Sequence, residues 1–262
     1  MIELFLVIGV ITILTVTILP ALASTKSQSR VNACAANFRQ WAVAANLYAK
    51  DNQEWLPSYN VSGGGMYAWD VGTNMCNALG PYGMAVPDWF CPMRPNELDA
   101  ANKWAQQQAG RPIRTMDNLR EYFSRYYPEE LNLTVNYWVT RAQGSTKFPT
   151  DYSNSPFVAV PTWARGTEPA TYGWPRKLHD NAAAHVPFVS DLAASGNGAG
   201  FALPPSGVVS SSTDDVSPNT AHFVNSTLIG VNAAFVDGRV EDRPRANMRA
   251  VYTTSGNTYW FY

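Results

Sequence analysis

The spacing of hydrophobic residues changes sharply within the first fifty residues of the chain. Between Leu4 and Ser24 no side chain is ionisable, and Glu3 is the single charged residue near the start of this apolar run. A helix of that length covers about 30 Å, which is the thickness of the hydrocarbon core of a bilayer. The pattern therefore predicts an apolar helix, in lipid or among packed helices, with one carboxylate at its edge.

After Ser24 the apolar residues recur on one helical face instead of all round. Five positions follow one another at steps of four and three: Cys34, Phe38, Trp41, Ala45 and Tyr48. This spacing is typical of an amphipathic helix whose apolar stripe faces a core. We therefore expect one helix over residues 1–51, with an apolar half over 1–24 and an amphipathic half over 25–51.

The remainder, residues 52–262, is poor in charge and rich in turn formers and aromatic residues. Charged residues make up 15% of the chain, below the ~25% of ordinary domains, and this composition predicts one β-rich head with short strands and long loops. The candidate strands are 134–140, 157–160, 185–190, 227–235 and 239–242, with an Asp-Gly hairpin turn at 237–238. The candidate short helices are 102–109 and 116–126.

Ile-Glu-Leu at 2–4, the apolar run behind it and Pro20 near its end form an N-terminal motif. This motif resembles the N-terminus of type IV pilins and type II secretion pseudopilins, whose mature pattern is Phe-Thr-Leu-Ile-Glu-Leu. Only Met1 and Ile2 precede Glu3, so either the sequence starts inside the mature protein or its start is imperfectly assigned. The resemblance implies an α+β pilin fold, in which a long N-terminal helix packs on an antiparallel β-sheet head with long loops.

Four further segments are Cys-x-x-Asn-x-x-Gln at 34–40, Phe-Cys-Pro at 90–92, Pro-Phe-Val-Ser-Asp at 187–191 and Asp-Gly at 237–238. They resemble prepilin-type proteins of the so-called H-x9-DG group. The chain departs from that group at one point, because the residue ten positions before Asp237 is Thr227, and the nearest histidine is His222.

The resemblance gives three positions in the apolar run a role in assembly. Glu3 would be buried among packed helices and pair with the N-terminal amine of a neighbouring subunit. The pairing is needed because an unpaired buried carboxylate costs several kcal/mol. The stretch from Gly9 to Pro20 is weak helix, since proline removes a backbone hydrogen bond and the threonines are poor helix formers. We expect it to loosen on assembly. From the residues alone, Glu3 could equally lie at a membrane surface, and Pro20 could form a simple kink.

The function that the resemblance implies is structural, with no enzymatic activity. The chain would be a subunit of an extracellular type IV pilus-like filament, held together by packing of N-terminal helices. Its partners would be further copies of itself, the assembly machinery and prepilin peptidase, with an inner-membrane pool before assembly at the cell surface. The alternatives are a pseudopilin of a type II secretion system and a membrane-anchored glycan-binding protein. A net charge of −1 without a basic stripe argues against a nucleic-acid partner.

The three cysteines leave two disulfide pairings open. An oxidising exterior favours one bridge, and Cys76–Cys91 is preferred because it closes the shorter loop, with Cys34–Cys91 as the rival. No Cys-x-x-Cys pair or histidine-rich run indicates zinc, so we expect no catalytic, cofactor-binding or metal site. Calcium remains an option for acidic head loops, although their spacing follows no calcium-loop pattern.

Overall fold

The computed structural model describes residues 2–58, 68–128, 130–139, 174–193, 221–224, 227–248, 250–253 and 259–261. Helices and antiparallel strands are both present, so the predicted α+β class is confirmed. The candidate strand at 157–160 lies outside the described residues. None of the helices in the described part of the chain combines the length and hydropathy that a membrane-spanning segment requires.

Helix α1 covers Ile2–Asp51, and its two ends differ in exposure. Near the start, the side chains of Leu4, Phe5 and Leu6 are 64%, 71% and 66% exposed. The backbone is helical on both sides of Pro20, whose side chain lies outside the described part. The first turns of α1 therefore carry apolar side chains that none of the described residues covers.

The second half of α1 contributes to the core of the head. The predicted stripe is confirmed for Cys34, Phe38, Trp41 and Ala45, each no more than 2% exposed, and Tyr48 packs partly buried beside them. These residues lie against aromatic side chains of the head, and burial of each large one stabilises the fold by about 1.5–3 kcal/mol.

Four shorter α-helices follow α1 in the described part of the chain. They are α2 (Met75–Leu79), α3 (Pro95–Ala109), α4 (Met116–Phe123) and α5 (Asn181–His185), with 3-10 turns at Gly80–Tyr82, Val86–Trp89 and Arg245–Asn247. Two of them match the candidate helices, although α3 begins seven positions earlier than 102. Pro95 explains the earlier start, because proline suits the first turn of a helix.

The strand predicted from residue 185 was wrong at its start. Residues up to His185 form α5, and the strand begins only at Val189. Asp180 caps this helix, since its Oδ1 accepts a hydrogen bond from the Ala183 amide at 2.8 Å. A side-chain cap followed by three alanines favours a helical turn over an extended chain.

The main sheet has five antiparallel strands. They are β3 (Val135–Tyr137), β4 (Val189–Asp191), β5 (His222–Val224), β6 (Thr227–Ala234) and β7 (Val240–Pro244). β6 pairs with β4, β5 and β7, and β3 pairs with β4. Two-stranded pairs form between β1 (Asp70–Gly72) and β2 (Glu130–Asn132), and between β8 (Ala250–Thr253) and β9 (Tyr259–Phe261).

The hairpin between β6 and β7 turns at Asp237-Gly238, as predicted. Gly238 has φ +90°, a conformation that glycine adopts without steric cost. Within the strands, Gly230 lies so close to β7 that a Cβ atom would overlap the carbonyl oxygen of Arg243. Both glycines are therefore required by backbone geometry, one by the turn and the other by a close approach.

Candidate metal centre

Four side chains that commonly bind metals meet where α1 contacts the main sheet. Cys34 comes from α1, and Cys91 comes from the loop after the 3-10 turn at Val86–Trp89. Asp191 is the end of β4, and His222 is the start of β5. Their ligand atoms all lie within 4.8 Å of one another. None of the four residues is more than 3% exposed. This group, the Cys-Asp-His cluster, could hold a metal ion.

The contacts within the cluster join all four residues. His222 Nε2 lies 2.8 Å from Asp191 Oδ2 and 3.3 Å from Cys91 Sγ. The Cys34 thiol lies 3.4 Å from Asp191 Oδ1, and the two sulfurs are 3.0 Å apart. His222 Nδ1 is buried and has no hydrogen-bond partner among the described residues. The four donors thus surround a common point.

Backbone geometry fixes the two ligands that the sheet supplies. The amide of Asn232 on β6 donates to Asp191 Oδ2 at 2.8 Å, which holds the carboxylate toward α1. Ala221 precedes His222 with φ +58°, a left-handed conformation that costs a residue with a Cβ about 1–2 kcal/mol. Its amide donates to the carbonyl of Leu192 at 2.5 Å. This strained residue directs the imidazole into the cluster.

A buried arginine lies beside the cluster and compensates its negative charge. Arg94 Nη1 is 3.6 Å from Asp191 Oδ1, and Arg94 Nε is 2.9 Å from Glu97 Oε1. Its Nη2 donates to the carbonyl of Thr134 at 2.7 Å. The guanidinium is only 6% exposed, so it remains in place by these bonds and not by solvation.

The four groups strongly influence one another's ionisation. Burial would lower the pKa of His222, but the negative charge of Asp191 raises it to about 10. Burial opposes ionisation of Asp191, yet the charge and hydrogen bond of His222 bring the pKa of its carboxyl down to about 2. Burial raises the pKa of Cys34, and the hydrogen bond between the sulfurs raises it further. Burial also acts against the Cys91 thiolate, but that hydrogen bond lowers the pKa of Cys91 to about 6.

The donor atoms indicate which metals suit the cluster. Thiolates and imidazole bind zinc and other transition metals well, whereas calcium takes oxygen ligands. The calcium option therefore gains no support here. Two further acids of the head, Asp237 and Glu241, form contacts with Arg239 on the hairpin.

The cysteines form neither of the two predicted disulfides in the structure. Cys91 lies beside Cys34, the rival partner, and all three thiols are free. Cys76 is a separate buried thiol on α2, and burial raises its pKa well above the usual value. The preferred Cys76–Cys91 bridge is therefore not the arrangement found.

The residues predicted to act in assembly lie far from this cluster, in the first half of α1. Glu3 is exposed in the first turn of α1. Gly9 is also exposed, and a Cβ atom there would meet no other atom within 4 Å. Pro20 belongs to the segment whose side chains are not described. The fold thus separates an exposed apolar segment from a buried polar cluster.

The cluster could not be found from local spacing, because its ligands come from four distant segments. Three of them, however, fall in the motifs that resemble prepilin-type proteins: Cys34, Cys91 and Asp191. The shared presence of ligand-type residues in those motifs was the available signal. Comparisons of this chain with protein-family models, with curated proteins and with solved structures found no match.

Proposed function

We propose that this chain is a structural subunit of an extracellular type IV pilus-like filament, assembled by packing of its N-terminal helices. The observation that carries the proposal is the exposure of apolar side chains on all faces of α1 over residues 4–16. A helix that is apolar all round is stable only when other apolar surface covers every face. Parallel copies of the same segment, or lipid before assembly, would provide that cover.

The polar groups in this segment are compatible with burial. Thr12 Oγ1 donates to the carbonyl of Ile8 at 2.8 Å, and Thr15 Oγ1 donates to that of Ile11 at 2.7 Å. Their hydroxyls therefore need no partner outside the helix. Glu3 is the one remaining charge at this end, and the amine of a neighbouring subunit would neutralise it in the filament. The pilin arrangement, a long helix packed on the sheet of the head, belongs to this proposal.

The aromatic residues of the head favour a filament subunit over a glycan-binding protein. Glycan binding needs exposed aromatic faces, but Trp41, Trp89, Trp138 and Trp174 are buried. Among tryptophans whose side chains the structure describes, Trp55 is the most exposed, at 47%. A secretion pseudopilin would share the same assembly contacts and differ in forming a short periplasmic filament.

The experiment that tests the proposal is cryo-electron microscopy of filaments sheared from cells that express the chain. We expect a helical polymer with α1 segments in its core, and a loss of most filaments in Glu3→Gln. Glu121→Gln, which changes an exposed carboxylate on α4, is the matched control and should leave filament yield unchanged. A chain that stays in the membrane fraction without any polymer would contradict the proposal and favour an anchored binding protein.

A further inference from the structure

We propose that Cys34, Cys91, Asp191 and His222 bind one Zn²⁺ ion, which joins the long helix to the sheet of the head. The inference is independent of the filament proposal, because it concerns the interior of a single chain. The donor set of two sulfurs, one nitrogen and one oxygen is one that four-coordinate structural zinc accepts.

The geometry suits tetrahedral coordination. With Zn–S and Zn–N bonds of about 2.3 and 2.0 Å, neighbouring donors in a tetrahedron lie roughly 3.3–3.8 Å apart. The observed separations include 3.3 Å between Cys91 Sγ and His222 Nε2, and 3.7 Å between Cys34 Sγ and Asp191 Oδ2. Two further separations are shorter: 3.0 Å between the two sulfurs and 2.8 Å between His222 Nε2 and Asp191 Oδ2. These atoms need small outward movements to admit an ion.

All four side chains are buried, and a bound cation accounts for their position together better than hydrogen bonds among them do. A disulfide would employ the two sulfurs and would leave His222 and Asp191 as a separate buried pair, whereas a metal ion employs all four donors. The sulfur separation of 3.0 Å also exceeds the ~2.05 Å of a covalent S–S bond. One shared ligand therefore accounts for the convergence of four segments.

The surrounding charge is compatible with zinc. Two thiolates and one carboxylate bring three negative charges against two on the ion, and the guanidinium of Arg94 lies beside the resulting anionic centre. Binding would release to solvent the protons that the thiols and His222 Nε2 hold, and would leave the imidazole neutral. Arg94 is a positioning residue here, because its guanidinium forms an ion pair with Asp191 at 3.6 Å and its backbone amide donates to the carbonyl of Cys91 at 2.8 Å.

A metal at this position would change how the head is held together. Cys34 belongs to α1, and its three partners belong to the loop before α3 and to strands β4 and β5. The unfolded chain has no such preformed site, so the free energy of zinc binding adds to the free energy of folding. The site would therefore fix the orientation of α1 on the sheet, which sets how the exposed first half projects from the head.

The test is metal analysis of the full-length protein, purified in detergent without chelators and under reducing conditions. We expect one zinc per chain by plasma mass spectrometry and a fall in the unfolding temperature after chelation, reversed by added Zn²⁺. Replacement by Co²⁺ should give the visible absorption of a tetrahedral site and a thiolate charge-transfer band. These measurements use the unaltered sequence, so they do not depend on a variant that fails to fold.

Matched variants then assign the ligands. Cys34→Ser and His222→Ala should each reduce bound zinc at least ~10-fold, whereas Cys76→Ser and His179→Ala should leave it unchanged, because those two residues lie outside the cluster. Protein without zinc whose mass is lower by the two hydrogens of a Cys34–Cys91 disulfide would overturn the proposal. Zinc-free protein with all thiols reduced, and no stabilisation by added Zn²⁺, would overturn it equally.

Discussion

The indole nitrogen of Trp41 donates a hydrogen bond to the backbone carbonyl oxygen of Asp88, at 3.1 Å. The same indole contacts Trp89 edge-on, with ring centroids 4.6 Å apart. Since Trp41 belongs to α1 and the other two residues to the 3-10 turn at Val86–Trp89, this contact joins the amphipathic half of the helix to the head. It combines apolar burial with a polar bond that only one orientation of the ring allows.

Trp41→Phe should therefore destabilise the head by about 1–3 kcal/mol. The change removes the donor to Asp88 and leaves a small cavity beside Trp89. Trp55→Phe is the control, because Trp55 is 47% exposed and its ring makes a cation–π contact with Lys177, so we expect a loss of under ~1 kcal/mol. Urea unfolding of both variants measures the difference, and equal losses would contradict this account of the contact.

Replacing the two structural glycines by alanine should have unequal effects. At Gly230 an added methyl group would overlap the carbonyl oxygen of Arg243 on β7, and we expect a loss of ~3 kcal/mol or failure to fold. At Gly238 the space is open and only the φ of +90° opposes a side chain, so the loss should be about 1–2 kcal/mol. Thermal unfolding ranks the two, and the reverse order would be inconsistent with the close approach of β6 and β7.

Glu97 should make stability depend on pH in the mildly acidic range. Burial, opposed by the charge of Arg94, raises the pKa of Glu97 to about 7, above the ~4.3 of an unfolded glutamate. Between these values the folded state holds a proton that the unfolded state has lost, so stability falls as pH rises from about 4 to about 7. On this basis the fall in stability is about 4 kcal/mol.

Glu97→Gln removes this titration, so its stability should decline less with pH across the same range. The measurement is urea unfolding at a series of pH values, with Glu121→Gln as the control for an exposed glutamate. Parallel profiles for the original sequence and Glu97→Gln would show that Glu97 ionises normally in the folded protein.

Cys76 should resist thiol reagents while the protein is folded. Its thiol is buried on α2, and burial raises its pKa, so little thiolate is present or accessible at pH 8. Iodoacetamide labelling followed by peptide mass spectrometry should find this residue unmodified in native protein and modified after unfolding. Rapid labelling of the native protein would mean that α2 opens readily.

Local patterns predicted the amphipathic half of α1 and the hairpin between β6 and β7. The stripe from Cys34 to Ala45 is buried because a helical spacing of three and four puts these residues on one side. The Asp237-Gly238 turn followed from a residue pair that tight hairpins prefer. The strand β1 was not predicted, because three residues are too few to show an alternation of apolar and polar positions. The helix α5 was not predicted either, because it has only five residues and its start depends on the Asp180 cap.

The metal centre could not be predicted in the same way. Its ligands are brought together by strand pairing and by the docking of α1, which are consequences of the whole fold. His222 in particular depends on the left-handed Ala221 and on the register of β5 against β6, and neither is readable from the residues around it.

The contacts of α1 with the last strands of the main sheet also constrain the order of folding. Asn232 Nδ2 donates to the carbonyl of Val31 across 201 positions of sequence, and Asn46 Nδ2 donates to that of Val236 across 190. Contacts between such distant segments form slowly, because a long loop must close first. Since synthesis proceeds from the N-terminus, the part of α1 that carries Val31 and Asn46 waits for almost the entire chain before these contacts form. Throughout that interval α1 can aggregate with other chains. We therefore expect the N-terminal helix to need protection by a chaperone or a membrane surface during synthesis.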